Sequence, residues 1–302
     1  MEQNINYENV VLNGISIYNL GYSLEETKER IEKKFKLKVS LKTIRSWVKE
    51  YKDVCTYSEI RKEASVLYNP QNLIFSKSFH HRQTYKFQYH RAKIDMEEKN
   101  GNRDKARLLK RYFEWIAKER KTCPENNNKV SFPHDIFNGK SGDLEQRASR
   151  AKIGGSIPFK SFEDDFSKPL TEYALTLARN NYERHEKVQD FMLLNDSSTI
   201  AVEVPVYLTG DDVGHFKKKG FSLKFNNNHP VTGHIDLVQI RNGTIYILDY
   251  KPGAKKVKPF AQLVSYALGL SCRTNIKVGD FRCAWFDEKD YFEFSPLHAI
   301  QS

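Results

Sequence analysis

Apolar residues recur along this chain in two rhythms, one near 3.6 residues and one near two, and they divide it into a helical first half and a strand-rich second half. Ser23 and Glu26 have the form of a capping box, with Leu24, Thr27, Ile31 and Phe35 following at helical spacing. Ser40 is a second N-cap, ahead of a helix that turns Leu41, Ile44 and Val48 inward beside Trp47. Residues 57–150 read as mainly helical. Phe79, Phe87 and Ile94 suit one face of an amphipathic helix, and Ala106, Leu109, Phe113 and Ile116 form the stripe of another over Arg103 to Lys121. Pro124, Asn126, Asn127, Asn128, Pro133, Gly139, Gly142 and Gly154-Gly155-Ser156 predict loops and a linker across 122–168. Pro169 then opens a long helix to about Leu194, with Tyr173, Ala174, Leu177, Ala178, Val188 and Met192 inward and Asn181 and His185 on the same stripe. Residues 1–20 give no readable pattern.

The period of two takes over at 199–208, T-I-A-V-E-V-P-V-Y-L, and again at 231–250. Asn242-Gly243 between two apolar runs is the strongest short-range signal for a two-residue hairpin turn. Such a turn sets Arg241 opposite Thr244, Ile240 opposite Ile245, Asp236 opposite Asp249 and His234 opposite Lys251. Val238, Ile240, Ile245 and Ile247 share the face of the two acids and Lys251, while Ile235, Leu237, Tyr246, Leu248 and Tyr250 take the other. Both faces are apolar, which predicts a hairpin covered on both sides. A helix from Pro259 and two strands, V-G-D-F-R-C-A-W-F and D-Y-F-E-F, complete the pattern.

Two carboxylates opposed across a ladder repel one another, so Asp236 and Asp249 call for a cation between them. Hard oxygen ligands point to Mg²⁺ or Mn²⁺. G-H-I-D ending at Asp236, then D-Y-K at 249–251, then Q-L-V-S-Y with Gln262 and Tyr266 on one helical face, resemble the core of the PD-(D/E)XK nuclease superfamily, in particular its RecB-like branch. The resemblance implies a restriction-endonuclease-like mixed α+β or α/β sheet flanked by helices, here preceded by an all-α N-terminal half. It implies a metal held by Asp236, Asp249, the Tyr250 carbonyl and, from a helix upstream, His185. Lys251 is then expected to orient or deprotonate water or to stabilise charge on the phosphate, with Gln262 and Tyr266 orienting the lysine, the water or the DNA backbone. Glu203 either adds to this site or is the outward residue of an edge strand beside Pro205.

The helices at 23–50 resemble the helix-turn-helix of resolvase- and transposase-type modules, S-x-x-T-I-x-x-W being matched at Ser40, Thr43, Ile44 and Trp47. That resemblance makes Lys42, Thr43, Arg45, Ser46 and Lys49 the expected base- and phosphate-contacting residues. An ordinary helical hairpin used for packing or dimerisation fits the same pattern.

The net charge of +11 sharpens this picture through its distribution. Residues 57–150 hold 20 basic and 12 acidic side chains, so most of the excess sits there. Basic residues interleaved with aromatics at 79–93 suit phosphates and unstacked bases, and a lysine-rich solvated helix suits them too. His80 and His81 have no acidic or Cys partner nearby to make a metal site, and Lys217, Lys218 and Lys219 either reach phosphate at the mouth of the site or are solvated. Cys55, Cys123, Cys272 and Cys283 lack C-x-x-C spacing and are expected to be reduced thiols. No apolar run spans a bilayer and the N-terminus lacks signal-peptide character, so a soluble intracellular protein without a membrane partner is expected.

Together these features divide the chain into a DNA-binding module over 1–56, a basic helical region and linker over 57–150 and a nuclease-like domain over 151–302. They predict a metal-dependent DNA nuclease acting on double- or single-stranded DNA. The alternatives are an inactive, nuclease-derived DNA-binding or architectural protein, and RNA as substrate.

Overall fold

The computed structural model describes residues 6–81, 83–99, 103–137, 146–154, 156–163, 166–225 and 229–300. It is a mixed α+β structure. Four helices lead, α1 (Tyr7–Asn19), α2 (Leu24–Phe35), α3 (Leu41–Glu50) and α4 (Tyr57–Leu67), followed by β1 (Ile74–His81), β2 (Gln83–His90), α5 (Arg91–Lys99) and α6 (Arg103–Ala117). Three short strands come next, β3 (Gln146–Arg147), β4 (Lys152–Ile153) and β5 (Lys160–Phe162). The remainder is α7 (Ser167–Thr176), α8 (Arg184–Asn195), β6 (Thr199–Leu208), α9 (Gly210–Lys218), β7 (Leu223–Lys224), β8 (Val231–Arg241), β9 (Thr244–Tyr250), α10 (Phe260–Thr274), β10 (Phe281–Phe286) and β11 (Tyr291–Phe294).

The described strands form a nine-stranded sheet in the order β1-β2-β6-β8-β9-β10-β11-β5, with β3 alongside β8. Its centre is the 231–250 hairpin. Asn242 and Gly243 take φ of 48° and 74°, the left-handed pair that a type I′ turn requires. The ladder runs from Arg241↔Thr244 to Leu237↔Leu248 in the register the turn dictates. β10 joins parallel to β9 after the α10 crossover, and β11 closes back antiparallel.

One face carries Val238, Ile240, Ile245 and Ile247 in a cluster with Leu109 and Phe113 of α6 and Leu263 and Leu270 of α10. The other carries Leu237, Leu248 and Tyr250 in a cluster with α7, α8 and the N-terminal helices. Ile235, expected with Leu237, lies in the first cluster instead. The same exchange occurs across the ladder, where Val202 belongs to the second cluster and Val204 to the first. Between them Glu203 has φ of 50°, which breaks the strict alternation of the pleat.

The all-α N-terminal half is corrected. S-F-H-H-R-Q-T-Y-K-F-Q-Y-H is no amphipathic helix but the β1–β2 hairpin, paired from Ile74↔His90 to His81↔Gln83. β2 joins β6 through Gln88↔Val202 and Tyr89↔Ala201, which adds these strands to the same sheet. Phe79 and Phe87 are fully buried, as an inward helix stripe would also have been, but their spacing is satisfied by alternation on two strands. The long helix from Pro169 is corrected to two, because the chain turns between Thr176 and Arg184, where Asn180 Oδ1 accepts from the backbone N–H groups of Tyr182 and Glu183. Asn181 falls in that turn. The segment 122–168 holds short strands as well as loops, Gly139, Gly142 and Gly155 lying outside the described residues.

Residues 1–20 conceal α1, capped by Asn6 and burying Val10, Val11, Leu12 and Ile15. It packs on Ile31, Ile44 and Trp47 of α2 and α3, and the cluster continues without a break into Val188, Phe191 and Met192 of α8. Asn19 and Asn195 are hydrogen-bonded side chain to side chain at 2.9 Å. The capping box at Ser23 and the N-cap at Ser40 form as the sequence predicts. Among the described residues, no helix is long and apolar enough to cross a membrane. Cys55, Cys123 and Cys283 are buried and Cys272 half-buried, all as free thiols.

Candidate active site

A cleft of about 650 Å³ opens where the strand faces exchange, with α8 on one side and α10 on the other. His185, Gln189, Glu203, Asp236, Lys251, Gln262 and Tyr266 all line it. Asp249 lies directly behind, with no exposed surface, and its carboxylate stands 2.9 Å from the Lys251 ammonium. The i, i+2 spacing of the D-Y-K triplet therefore does put acid and lysine on one face.

The ladder opens beyond Leu237↔Leu248. Asp236 Oδ2 accepts from the backbone N–H of Tyr250 at 3.0 Å, and His185 Nε2 lies 2.6 Å from the same oxygen. His234 does not meet Lys251. It pairs with Pro205 across β6 and its ring stacks on Tyr85 at 3.9 Å. The Tyr250 side chain leaves the site for the other face, where its ring meets His185 edge-on at 5.3 Å. Gln262 donates to the Tyr266 hydroxyl at 2.9 Å, so the two residues act as one unit. A Cβ on Gly233 would stand 2.3 Å from the Tyr266 ring, which explains why the residue before His234 has no side chain.

Glu203 belongs to this cluster, and the edge-strand alternative is excluded because β6 is paired on both sides. It lies between the pairs Val202↔Leu237 and Val204↔Ile235, which places it opposite Asp236. Gln189 donates to its Oε1 at 2.7 Å, while Oε2 is buried without a hydrogen bond. Sequence reasoning missed Gln189, Arg147 and Tyr182, which also line the cleft, whereas Tyr85 and Lys86 reach it from the stretch of interleaved basic and aromatic residues. Gln189 stands one helical turn beyond His185, the one signal that could have found it. Lys217, Lys218 and Lys219 do not line the cleft; Lys217 donates to the carbonyl of Phe225 at 3.1 Å.

Three carboxyl groups in one buried pocket cannot all ionise freely. Burial works to raise Asp236, but the His185 imidazolium, aided by Lys251, outweighs it and holds Asp236 down to about 2. Burial and then the Asp236 charge push Asp249 up to about 8 and Glu203 likewise to about 8. Asp236 in turn lifts His185 to about 9 against its own burial. Lys251 loses by burial and gains more from Asp249 and Asp236, so its pKa is raised.

These shifts have a sign. His185 contributes stability that is full below its ordinary 6.5 and gone above about 9. Glu203 and Asp249 favour the fold most below 4.5 and 3.8, and that contribution is lost as pH rises to about 8. A divalent cation that needs ionised carboxylates and neutral imidazole should offset that loss. The stabilisation produced by Mg²⁺, read as the shift in urea midpoint against a chelator control, is expected to grow from pH 6 to pH 9. An increment that stays flat would show that the cation binds elsewhere.

Among the described residues no three His, Cys, Asp or Glu side chains stand ready-made as a metal-ligand group. His185 and Asp236 instead contact each other directly. The donor set nonetheless fits a hard divalent cation, because Glu203 Oε2 is buried without a hydrogen-bond partner and the buried Asp249 carboxylate has only Lys251 and the neighbouring acid Asp236 beside it.

The expected DNA-contacting residues of α3 divide between two sides. Lys42, Thr43 and Ser46 border a hollow with Tyr7 and Glu8 of α1, whereas Arg45 and Lys49 border another with Tyr18 and Leu24. Lys42, Arg45, Ser46 and Lys49 are exposed, and Thr43 is half-buried with its backbone N–H on Ser40 Oγ at 3.0 Å. No family model matches this chain, and no curated protein or solved structure matches it.

Proposed function

We propose that this chain is a metal-dependent nuclease with a restriction-endonuclease-like site that hydrolyses phosphodiester bonds in DNA. The observation that carries the reading is the gathering of three acids: Asp249, fully buried behind the cleft with its carboxylate 2.9 Å from the Lys251 ammonium, beside Asp236 and Glu203, whose Oε2 is buried without a hydrogen bond. A purely structural site gains nothing from concentrating that much negative charge out of water. Asp236, Asp249, Glu203, His185 and the Tyr250 carbonyl are the groups that would hold Mg²⁺ or Mn²⁺. Such an ion, when bound, supplies Lewis-acid polarisation of the phosphate and a water of lowered pKa.

The residues of the chain have distinct tasks. Lys251, whose ammonium the neighbouring Asp249 and Asp236 favour, faces the cleft where it would stabilise the negative charge that builds on the phosphate, or orient or deprotonate the attacking water. Tyr266, held by Gln262, presents its hydroxyl to the cleft, where it orients substrate or water. His185 releases Asp236 when it loses its proton. The exposed basic residues of α3 and the excess positive charge of 57–150 are the proposed DNA contacts.

The direct His185–Asp236 bond favours a second reading, an inactive nuclease-derived DNA-binding protein in which the imidazolium permanently neutralises the acid. Incubation with labelled DNA duplex, single-stranded DNA and single-stranded RNA separates the two. Wild type with Mn²⁺ or Mg²⁺ is expected to cut DNA and to stop on chelation. DNA binding without any metal-supported cleavage would establish the second reading.

A further inference from the structure

The turn between α7 and α8 stands on a ridge between two concavities. On one side is the catalytic cleft, whose rim includes Tyr182. On the other is a hollow of about 790 Å³ that holds Lys34 of α2, Arg179 and Lys187. Glu186 and Asp190 line both, so the two are continuous.

Tyr182 is 97 % exposed, more than any other large apolar side chain among the described residues. Its backbone is nevertheless fixed, with the Tyr182 N–H donating to Asn180 Oδ1 at 2.9 Å and the Arg179 N–H donating to Glu183 Oε2 at 3.1 Å. An ordered turn that holds an aromatic ring out at the rim of a cleft offers a free π-face. Across the ridge, three cations are gathered. Lys34 is held by Asn13 Oδ1 at 2.6 Å, and burial together with the neighbouring charges of Lys187 and Arg179 lowers its pKa. Like charges brought together in a hollow are relieved by an anion. Glu183, Glu186 and Asp190 line the hollow too; burial raises the pKa of Asp190, which weakens its negative charge, so the three cations outweigh Glu183 and Glu186.

Resting on the nuclease reading, we infer that this ridge is a saddle for single-stranded nucleic acid, where Tyr182 stacks an unpaired base and Lys34, Arg179 and Lys187 take the adjoining phosphates as the strand leaves the cleft. A duplex keeps its bases stacked on each other and gives Tyr182 nothing to receive, so the saddle selects single strands or unpaired ends.

The test is fluorescence anisotropy with the full chain in chelator, where no cleavage occurs, using a short labelled oligothymidine and a blunt duplex of the same length. Single-strand binding should be the tighter. Tyr182→Ala should weaken it by about tenfold, whereas Tyr182→Phe, which keeps the ring, should leave it unchanged. Lys187→Gln should lower the slope of log affinity against log salt by about 0.7, the loss of one phosphate contact on a single strand. Duplex binding as tight as single-strand binding, with Tyr182→Ala indistinguishable from wild type, would overturn the saddle and leave the nuclease reading intact. The expected binding pattern without cleavage on adding Mn²⁺ would support the saddle and overturn the nuclease.

Discussion

Asp249→Asn is expected to reduce metal-supported cleavage by about a thousandfold while leaving the metal-free fold as stable as wild type or more so. The two effects have one cause. Asp249 is fully buried beside the Asp236 charge, Lys251 only partly offsets that burial, and it is pushed up to about 8. In the absence of a cation, its ionised form is a burden on the fold. Asparagine keeps the shape, removes the like charge and cannot serve as an anionic ligand. Lys251→Ala should give the same loss of turnover with the opposite effect on stability, because it removes the cation 2.9 Å from Asp249 and leaves two acids facing each other. Turnover at saturating Mg²⁺ and urea midpoints in chelator test the pair. Asp249→Asn protein that is strongly destabilised would make the residue a structural one.

The largest effect on stability is expected away from the cleft, at Lys93. This side chain is 1 % exposed and its ammonium donates to the carbonyls of Leu193 at 2.6 Å, Thr199 at 3.0 Å and Asp196, with the Tyr57 ring 4.8 Å away. It closes the C-terminal end of α8, where exposed carbonyls and the helix dipole favour a cation. Burial pushes its pKa down to about 7, but three carbonyls match the three N–H bonds of the charged form. Lys93→Met keeps the volume and orphans all three acceptors. The loss should be about 3–5 kcal/mol, a fall in Tm of roughly 10 °C in a chain of this size. Thermal unfolding followed by circular dichroism checks it. Because α8 carries His185 and Gln189, cleavage should disappear over the same temperature range. An unchanged Tm would mean that the three carbonyls find other donors.

Much of the centre was legible in advance because its signals are local. Asn242-Gly243 specifies a turn type, the turn specifies a register, and the register brings Asp249 and Lys251 to one face. The backbone ladder stops at Leu237↔Leu248, but Asp236 and Asp249 still come together, and the Asp236 carboxylate also accepts from the Tyr250 N–H and meets His185, a helix residue whose approach no strand pattern encodes. The β1–β2 hairpin is hidden in the sequence because the stretch H-H-R-Q-T between its two apolar runs carries no Gly, Asn or Pro, and because Phe79 and Phe87 fall at a spacing that both rhythms allow. Glu203 was readable only as a polar interruption in a strand. Its left-handed φ and its place opposite Asp236 depend on a partner strand that follows it by some thirty positions. The helix-turn-helix pattern held at its caps, but α1, hidden in residues 1–20, divides the outer surface of α3 between two hollows.

The continuity of α1 with α8 bears on how the chain is made. Asn19 finds its partner in Asn195 and Ser16 receives a hydrogen bond from the same residue, contacts separated by 176 and 179 positions. On the ribosome, the first helices emerge long before the surface that will cover their apolar sides. The side of α1 that meets α8 must wait until the chain has been made past Asn195, a high-contact-order arrangement that slows folding and makes the nascent chain a natural client for chaperones.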